Sequence, residues 1–475
     1  MPARSVVVAV LACLTFLLVQ FRPVRDVDMF WQVATGERML ATGQLVTADP
    51  FSATHAGDPN PPIYWLSQLL YAGILRAGSW ELLHKLDAVL FALSLWVAAR
   101  AMGPVHPIPA ALAFAGALLV AMPHHGLRPQ TFGMLGFATL VWLNQAELSA
   151  VRKAVLAFLV VVLWQNLHPS ATVGAGYLAL HPFAATIRAV RTGERIPWVR
   201  WLVPLAAAVG LVCTPLGFGV FPLSALNADV SRHIGVEEWL PLWHPATWPA
   251  CQTAWVGLVI GCALMLALRS RVTLEDLTVF AVLSVGMLLV YRVSLFWALA
   301  TLPIFARWLD AVLPAVWERY ADRTASLPVW PVPVASAVTV AVPLLLRPPT
   351  FTADMPFAAL ARAKELGVHG TVYNYREWGG PLLWTVPDAR PTIDGRLYLF
   401  PMPEWDEYVQ AAIGRLPVEQ LEAKYQPDAF LLRHSYHADL IRLIRTTGRW
   451  EESYSDEHAV LFLPRPTPTS TGAAR

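Results

Sequence analysis

Long apolar runs joined by short polar loops fill the first 350 residues, and a mixed, charge-rich pattern replaces them afterwards. The first run, Ser5–Phe21, is about long enough to cross a bilayer when tilted. No small-residue cleavage site follows it before Arg22-Pro23, so it reads as an uncleaved anchor. Val10-Leu11-Ala12-Cys13 has the outline of a lipoprotein signal, but the apolar residues after Cys13 argue against a mature lipoprotein start. Ten further runs qualify as spans, roughly 86–102, 108–122, 130–146, 154–167, 171–187, 201–221, 252–268, 275–291, 293–309 and 328–346.

Charges in the loops orient these spans. With the N-terminus cytoplasmic, thirteen Lys and Arg fall in inner loops, from Arg4 and Arg100 through Arg152, Lys153 and Arg188 to Arg319 and Arg323. Only Arg128, Arg232 and Arg292 fall in short outer loops, a strong positive-inside bias. The apolar segment Ile63–Ala77 would invert every later loop if it spanned, so it is expected to lie in the outer interface. Eleven spans then place the first long loop, Arg22–Lys85, and everything after about residue 350 on the outside.

Composition sharpens this division. The 475 residues are 56% hydrophobic and 14% charged, against about 25% charged in a soluble domain, which excludes a soluble globular enzyme and a disordered chain. Of the 68 Asp, Glu, Lys and Arg, 29 lie in residues 351–475. The expected domains are therefore a transmembrane part over 1–349, including the first outer loop (22–85), an extracytoplasmic α/β domain over 350–465, and a disordered Pro/Thr/Ser-rich tail over 466–475. A net charge of +2 shows no excess that would point to nucleic acid as a partner. Cys13, Cys213, Cys251 and Cys262 have neither disulfide nor zinc spacing.

Directly after the first span comes Arg25-Asp26-Val27-Asp28-Met29-Phe30-Trp31. An Asp-x-Asp pair at a membrane boundary is costly unless hydrated, paired or used. Met29–Leu40 predicts a short amphipathic helix ending near Gly43, and Thr47-Ala48-Asp49-Pro50-Phe51-Ser52 predicts a turn. The pattern Asp26-x-Asp28, Trp31, Gly36, Gly43, Asp49-Pro50-Phe51-Ser52 and Trp65 resembles the first outer loop of bacterial membrane glycosyltransferases of the GT-C fold, the group of protein mannosyltransferases and aminoarabinose transferases. Many members have an acidic residue followed by Glu or Gly and then Tyr, where this chain has Asp28-Met29-Phe30-Trp31.

The resemblance implies a sugar donor carried on a polyprenyl phosphate, and a glycan, lipid or protein acceptor at the outer face of a bacterial inner membrane. The phosphate leaving group needs no acid, but the acceptor hydroxyl needs a base. Asp28 or Asp26 takes that role, with Asp28 preferred, and the neighbouring carboxylate would orient it or hold a divalent cation such as Mg or Mn. The bland alternative pairs both carboxylates with Arg22 and Arg25 as interface anchors.

Outer loops supply the remaining polar groups. They are His124, His125 and Arg128 after the third span, Asn166 and His168 after the fifth, Glu237-Glu238-Trp239 in the 222–251 loop, and Arg292 between the ninth and tenth spans. Arg128 and Arg292 are the candidates for holding the departing phosphate by a planar fork. The alternatives are membrane-lipid headgroup contacts for Arg128, a bland loop arginine for Arg292 and satisfied interfacial residues for the histidines. Adjacent His124 and His125 point to different faces, poor geometry for zinc or haem.

In the C-terminal part, Pro356–Leu366 and Tyr436–Arg445 read as helices. Gly370–Tyr375, Ala429–Arg433 and Ala459–Pro464 read as strands, with a strand end at Pro391–Asp394, which together predict a partly parallel sheet. Asn374-Tyr375-Arg376-Glu377-Trp378-Gly379-Gly380 and Ile393-Asp394-Gly395-Arg396 sit at strand ends, where loops carry function. The leading expectation is an inverting glycosyltransferase. The alternatives are a surface-polysaccharide polymerase or ligase using lipid-linked oligosaccharide, a non-catalytic envelope assembly protein, and a transporter. Transporters need deep ionisable groups, of which His181 is the one evident here.

Overall fold

The structure, a computed structural model, describes residues 3–312, 314, 316, 317, 319, 328–346, 348 and 350–465. Arg323 and the tail 466–475, expected to be disordered, lie outside the described residues. In chain order the helices are α1 (Ala3–Gln20), α2 (Asp28–Thr42), α3 (Trp65–Ala77), α4 (Trp80–Ala99), α5 (Pro107–Ala121), α6 (Gln130–Gln145), α7 (Ala150–Leu167), α8 (Ala171–Thr192), α9 (Leu202–Gly210), α10 (Val220–His233), α11 (Trp248–Ala267), α12 (Leu274–Leu289), α13 (Ser294–Val312), α14 (Pro331–Leu346), α15 (Phe357–Glu365), α16 (Gly379–Thr385), α17 (Met402–Ala412), α18 (Val418–Tyr425) and α19 (Ala438–Thr447). The strands are β1 (Gly370–Asn374), β2 (Ala389–Pro391), β3 (Ala429–Arg433), β4 (Trp450–Ser455) and β5 (Ala459–Pro464).

These elements form two compact units. The first joins Met1–Val24 to Ile63–Phe351 and is built from helices among its described residues. Its apolar runs become helices because a backbone in hydrocarbon must satisfy its own polar groups. Among the described residues six helices are long and apolar enough to cross a membrane: Ala3–Gln20, Trp80–Met102, Pro107–His124, Ala150–Leu167, Pro245–Ala267 and Tyr291–Val312. Trp198–Gly210 and Pro331–Leu346 are apolar but shorter. The run expected to span over 201–221 is broken: α9 stops at Gly210, Pro215 and the left-handed Gly217 (φ 52°) interrupt the ladder, and α10 starts anew at Val220. The deep-group expectation is also corrected, because Asp87 in α4 is buried and accepts from His125 at 2.8 Å.

Small residues set the helix spacing in this unit. Trp164 of α7 packs on Gly133 and Gly136 of α6 and Gly174 of α8; a Cβ on Gly174 would stand 2.5 Å from the indole and 2.9 Å from Leu140. The Trp164 N–H donates to Ser170 Oγ at 3.1 Å, so this large side chain is satisfied where it is buried. Helix α13 runs through the core with Leu295, Phe296, Trp297 and Leu299 buried, while Val259, Leu266 and Leu345 on α11 and α14 are exposed, as lipid-facing positions should be.

The second unit joins Arg25–Pro62 to the described residues of Thr352–Arg475. The expected boundary, which kept the first outer loop with the transmembrane part, is therefore moved: Arg25–Pro62 packs with the C-terminal sheet, because Asp49 is paired with buried Arg396 and α2 lies against Gly380 and Gly395. The sheet has the order β2-β1-β3-β5-β4, with β2, β1 and β3 parallel and β5 and β4 antiparallel, which is the partly parallel sheet expected. Tyr373 pairs with Phe430 and Leu431 with Leu461, aligning apolar residues across the three central strands. Helix α2 spans Asp28–Thr42 and closes on left-handed Gly43 (φ 68°), within a residue or two of the predicted bounds. Strand β4 and helices α16, α17 and α18 are additions to the expected elements; Glu451 and Glu452 in β4 hide the alternation that marks a strand.

Candidate functional site

Polar side chains converge at two places, one in each unit. In the second unit, Asp28 is the first residue of α2, where the helix dipole favours a carboxylate. Its backbone N–H donates to Asp26 Oδ1 at 2.9 Å, and its Oδ1 accepts from Trp31 Nε1 at 3.2 Å, three residues along the same helix. Burial pushes the Asp28 carboxyl up to about 7; the Trp31 bond works against this, Glu377 and Asp394 add to it, and Arg376 opposes it. An acid that titrates near neutrality is suited to general base catalysis.

The floor beneath Asp28 is glycine by necessity. A Cβ on Gly395 would overlap Asp28 Oδ1 and stand 3.1 Å from Trp31 Nε1. A Cβ on Gly380 would come within 2.8 Å of the Val27 carbonyl, so α16 approaches α2 backbone to backbone. The 392–395 loop is in turn fixed by Asn374, fully buried, whose amide donates to the Ile393 carbonyl at 2.9 Å and whose Oδ1 accepts from Thr392 N–H at 3.0 Å.

Behind this loop lies a fully buried ion cluster. Arg396 Nε donates to both oxygens of Asp394 at 3.0 and 3.1 Å, Nη2 donates to Asp394 at 2.5 Å, and Nη1 donates to Asp49. None of the three side chains has any solvent exposure. Asp49 also accepts from the Ser52 hydroxyl and from the N–H groups of Phe51 and Ser52, each N–H at 3.1 Å. Burial works against its ionisation, but Arg396 outweighs it, and Asp49 titrates below the usual carboxylate range. Arg396 also lies over the Phe51 ring at 5.4 Å. The two sequence motifs Asp49-Pro50-Phe51-Ser52 and Asp394-Gly395-Arg396 are thus one structure.

In the helical unit, Glu238 joins two arginines. It accepts from Arg128 Nη1 at 3.2 Å and from Arg292 Nη1, while Arg292 Nη2 donates to Gln130 Oε1 at 2.5 Å. Arg292 lies over the Trp239 ring at 5.5 Å. His124 packs on Tyr291 with ring centres 4.5 Å apart and shares a hydrogen bond of 2.6 Å with Ser294 Oγ. Burial disfavours the charged form of Glu238, yet Arg292 and then Arg128 overcome it and hold the carboxyl below its ordinary range. Two guanidinium groups on one carboxylate leave a net positive site whose fork geometry suits phosphate oxygens.

Searches of family models and of curated proteins find no match. Among solved structures, the Archaeoglobus fulgidus oligosaccharyltransferase, tethered by a disulfide to an acceptor peptide containing the NVT sequon, is similar over 97% of this chain and 74% of its own, with a TM-score of 0.53 and 10% sequence identity. Its apo form matches over 90% of this chain and 69% of its own, again with a TM-score of 0.53 and 10% identity. The chain has the membrane GT-C fold.

Within this fold, the expected site residues separate. Arg128, Glu238, Trp239, Arg292 and His124 come together in the helical unit, and His168 lies near enough to Arg292 and Arg128 to feel their charge while bonding Ser170 at 2.8 Å. Glu237 is exposed, because the short 3-10 turn Glu237–Trp239 points only one of the two carboxylates inward. His125 turns to Asp87 instead. Asn166 ties helices together, since its Oδ1 accepts from Trp65 Nε1 at 2.7 Å and its amide donates to the Cys213 carbonyl at 2.8 Å. Asp26 and Asp28 belong to the other unit, and Asp28 takes Trp31 as its partner rather than Arg25. Arg376, Glu377, Asp394 and Gly395, which surround Asp28, stand out in the sequence as motifs without a role. Among the described residues no group of three or more His, Cys, Asp and Glu is arranged to hold a metal ion, and Asp26 and Asp28 do not form such a set.

Proposed function

We propose that this protein is an integral membrane glycosyltransferase that moves a sugar from a polyprenyl-phosphate donor to a glycan, lipid or protein acceptor at the outer face of a bacterial inner membrane. The observation that carries the reading is the Asp28 carboxyl, held by Trp31 at the start of α2 directly after the first apolar helix and raised to about 7, in a chain with the GT-C fold. In the transfer, the acceptor oxygen attacks the sugar C1, the C1–O bond to phosphate breaks, the electron pair leaves with the lipid phosphate, and the acceptor proton passes to Asp28. Direct displacement inverts the anomeric centre. Asp26 holds the backbone of Asp28 and the indole of Trp31 orients its carboxylate. Within the helical unit, Arg128 and Arg292 form a cationic fork suited to phosphate oxygens, with Glu238 as their counterion.

The test is transfer from a lipid-linked sugar by Asp28→Asn and Asp26→Asn variants. Loss in Asp28→Asn supports the assignment, and full activity in both variants overturns it. A second reading, en bloc transfer of a lipid-linked oligosaccharide as in a polymerase or ligase, is favoured by the likeness to an oligosaccharyltransferase. Accumulation of long lipid-linked repeats in a deletion strain would select it over transfer of a single sugar.

A further inference from the structure

Asp28 rests on a loop that is fixed from behind. Asp394, Gly395 and Arg396 are consecutive, and the Arg396 N–H donates to Asp394 Oδ1 at 2.9 Å, which folds the acidic side chain back onto the guanidinium and leaves Gly395 facing Asp28. Gly379 packs closely on the same loop: a Cβ there would overlap the Ile393 carbonyl and stand 2.7 Å from Asp394 Cβ. Two parts of the loop that follows the first helix therefore meet one three-residue stretch. Asp49 binds Arg396, and Asp28 sits on Gly395.

We propose that the buried Asp49–Arg396–Asp394 cluster is a positioning device for the Asp28 carboxyl, setting both where it stands and the charge beside it. Two carboxylates on one guanidinium leave one net negative charge, fully removed from water, next to a carboxyl that must take up a proton. An ion cluster of this kind is a poor way to gain stability, because apolar residues of the same volume often do as well. What an apolar core cannot supply is an oriented negative charge and a backbone held at van der Waals distance from Asp28. The other charged groups facing Asp28 are Asp26 on its own segment and Arg376 and Glu377 from the turn before α16, so the cluster acts on a carboxyl already biased by like and unlike neighbours.

This inference rests on Asp28 being the base, but its test does not require transfer activity. The full chain, labelled with 13C-aspartate and reconstituted in lipid nanodiscs, is titrated by pH-difference infrared spectroscopy, and the Asp28 band is identified by its loss in Asp28→Asn. Asp394→Asn is expected to lower the Asp28 midpoint by about one pH unit or more, and Asp49→Asn, which removes one negative charge farther away, to lower it less. Gly395→Ala keeps the charges and is expected to shift the carboxyl band as the Trp31 bond is lost. If the two Asn variants melt like the parent and leave the midpoint unchanged, and Gly395→Ala leaves the band unmoved, the proposal is overturned. Should Asp394→Asn fail to fold, Asp49→Asn and Gly395→Ala decide the matter alone. If Asp28→Asn retains transfer while Asp394→Asn moves the midpoint, the base assignment falls and the positioning stands.

Discussion

A carboxyl raised towards neutrality by burial must weaken the fold that holds it ionised, and this makes Asp28→Asn a stabilising substitution at alkaline pH. The carboxyl moves from 3.8 to about 7 on folding, roughly three pH units, and at 1.36 kcal/mol per unit the ceiling is about 4 kcal/mol. The residue is partly exposed, and halving the figure for solvent screening leaves about 2 kcal/mol. The sign follows from proton binding. Between the unfolded and folded midpoints the native state binds more protons, so the contribution of Asp28 to stability is full below about pH 4 and is lost as pH rises to about 7. Asparagine does not titrate and still accepts from the Trp31 indole. The variant should therefore melt close to the parent at about pH 4.5 and roughly 4–8 °C above it at about pH 8, for a cooperative unit of this size. Thermal unfolding of both proteins in nanodiscs at the two pH values reads the difference directly. A gap that does not change with pH would refute the argument, since only a titrating group can produce one.

The same geometry carries four further outcomes. Transfer activity should fall as pH drops through about 7, because the base works only when ionised, and a pH–rate profile checks this. Arg396→Met should cost about 3–5 kcal/mol by leaving Asp49 and Asp394 buried without their cation, seen as loss of near-UV circular dichroism from the second unit. Arg292→Lys keeps the charge but loses the fork to Glu238 and Gln130; native mass spectrometry should show weaker retention of a polyprenyl phosphate with thermal stability reduced by only about 1 kcal/mol. Gly174→Ala should destabilise the helical unit by about 1–3 kcal/mol through overlap with Trp164 and Leu140, whereas Gly176→Ala, which meets nothing within 4 Å, should be neutral by the same melt.

Most of the long apolar helices and most strands are readable in the sequence because their signals are local, whereas the short helices α16, α17 and α18 are not. Ala429–Arg433 and Ala459–Pro464 are located to the residue, and α2 ends at the glycine that marks its close, Gly43. The span expected over 201–221 fails because hydropathy averages over Pro215 and Gly217, whose effect on the backbone is local and decisive. At the candidate site, Asp26-x-Asp28 is conspicuous as acid at a membrane boundary. The pairing of Glu238 with Arg128 and Arg292 joins residues 110 and 54 positions apart, and no spacing rule reaches that far. Arg396 is the hardest to interpret, since Asp49 lies 347 residues away and the motif Asp394-Gly395-Arg396 gives no hint of its partner.

That separation has a consequence for how the chain is made. Arg25–Pro62 leaves the ribosome with the first apolar helix, yet the strands it packs with are encoded after residue 352. The early segment must wait, with Asp49 uncompensated and Phe30 and Trp31 uncovered, until every intervening helix has been synthesised. A ribosome that stops before Arg396 releases a chain whose helices can insert but whose second unit cannot close. Closure of the Asp49–Arg396 pair thus requires a chain that is complete at least through Arg396.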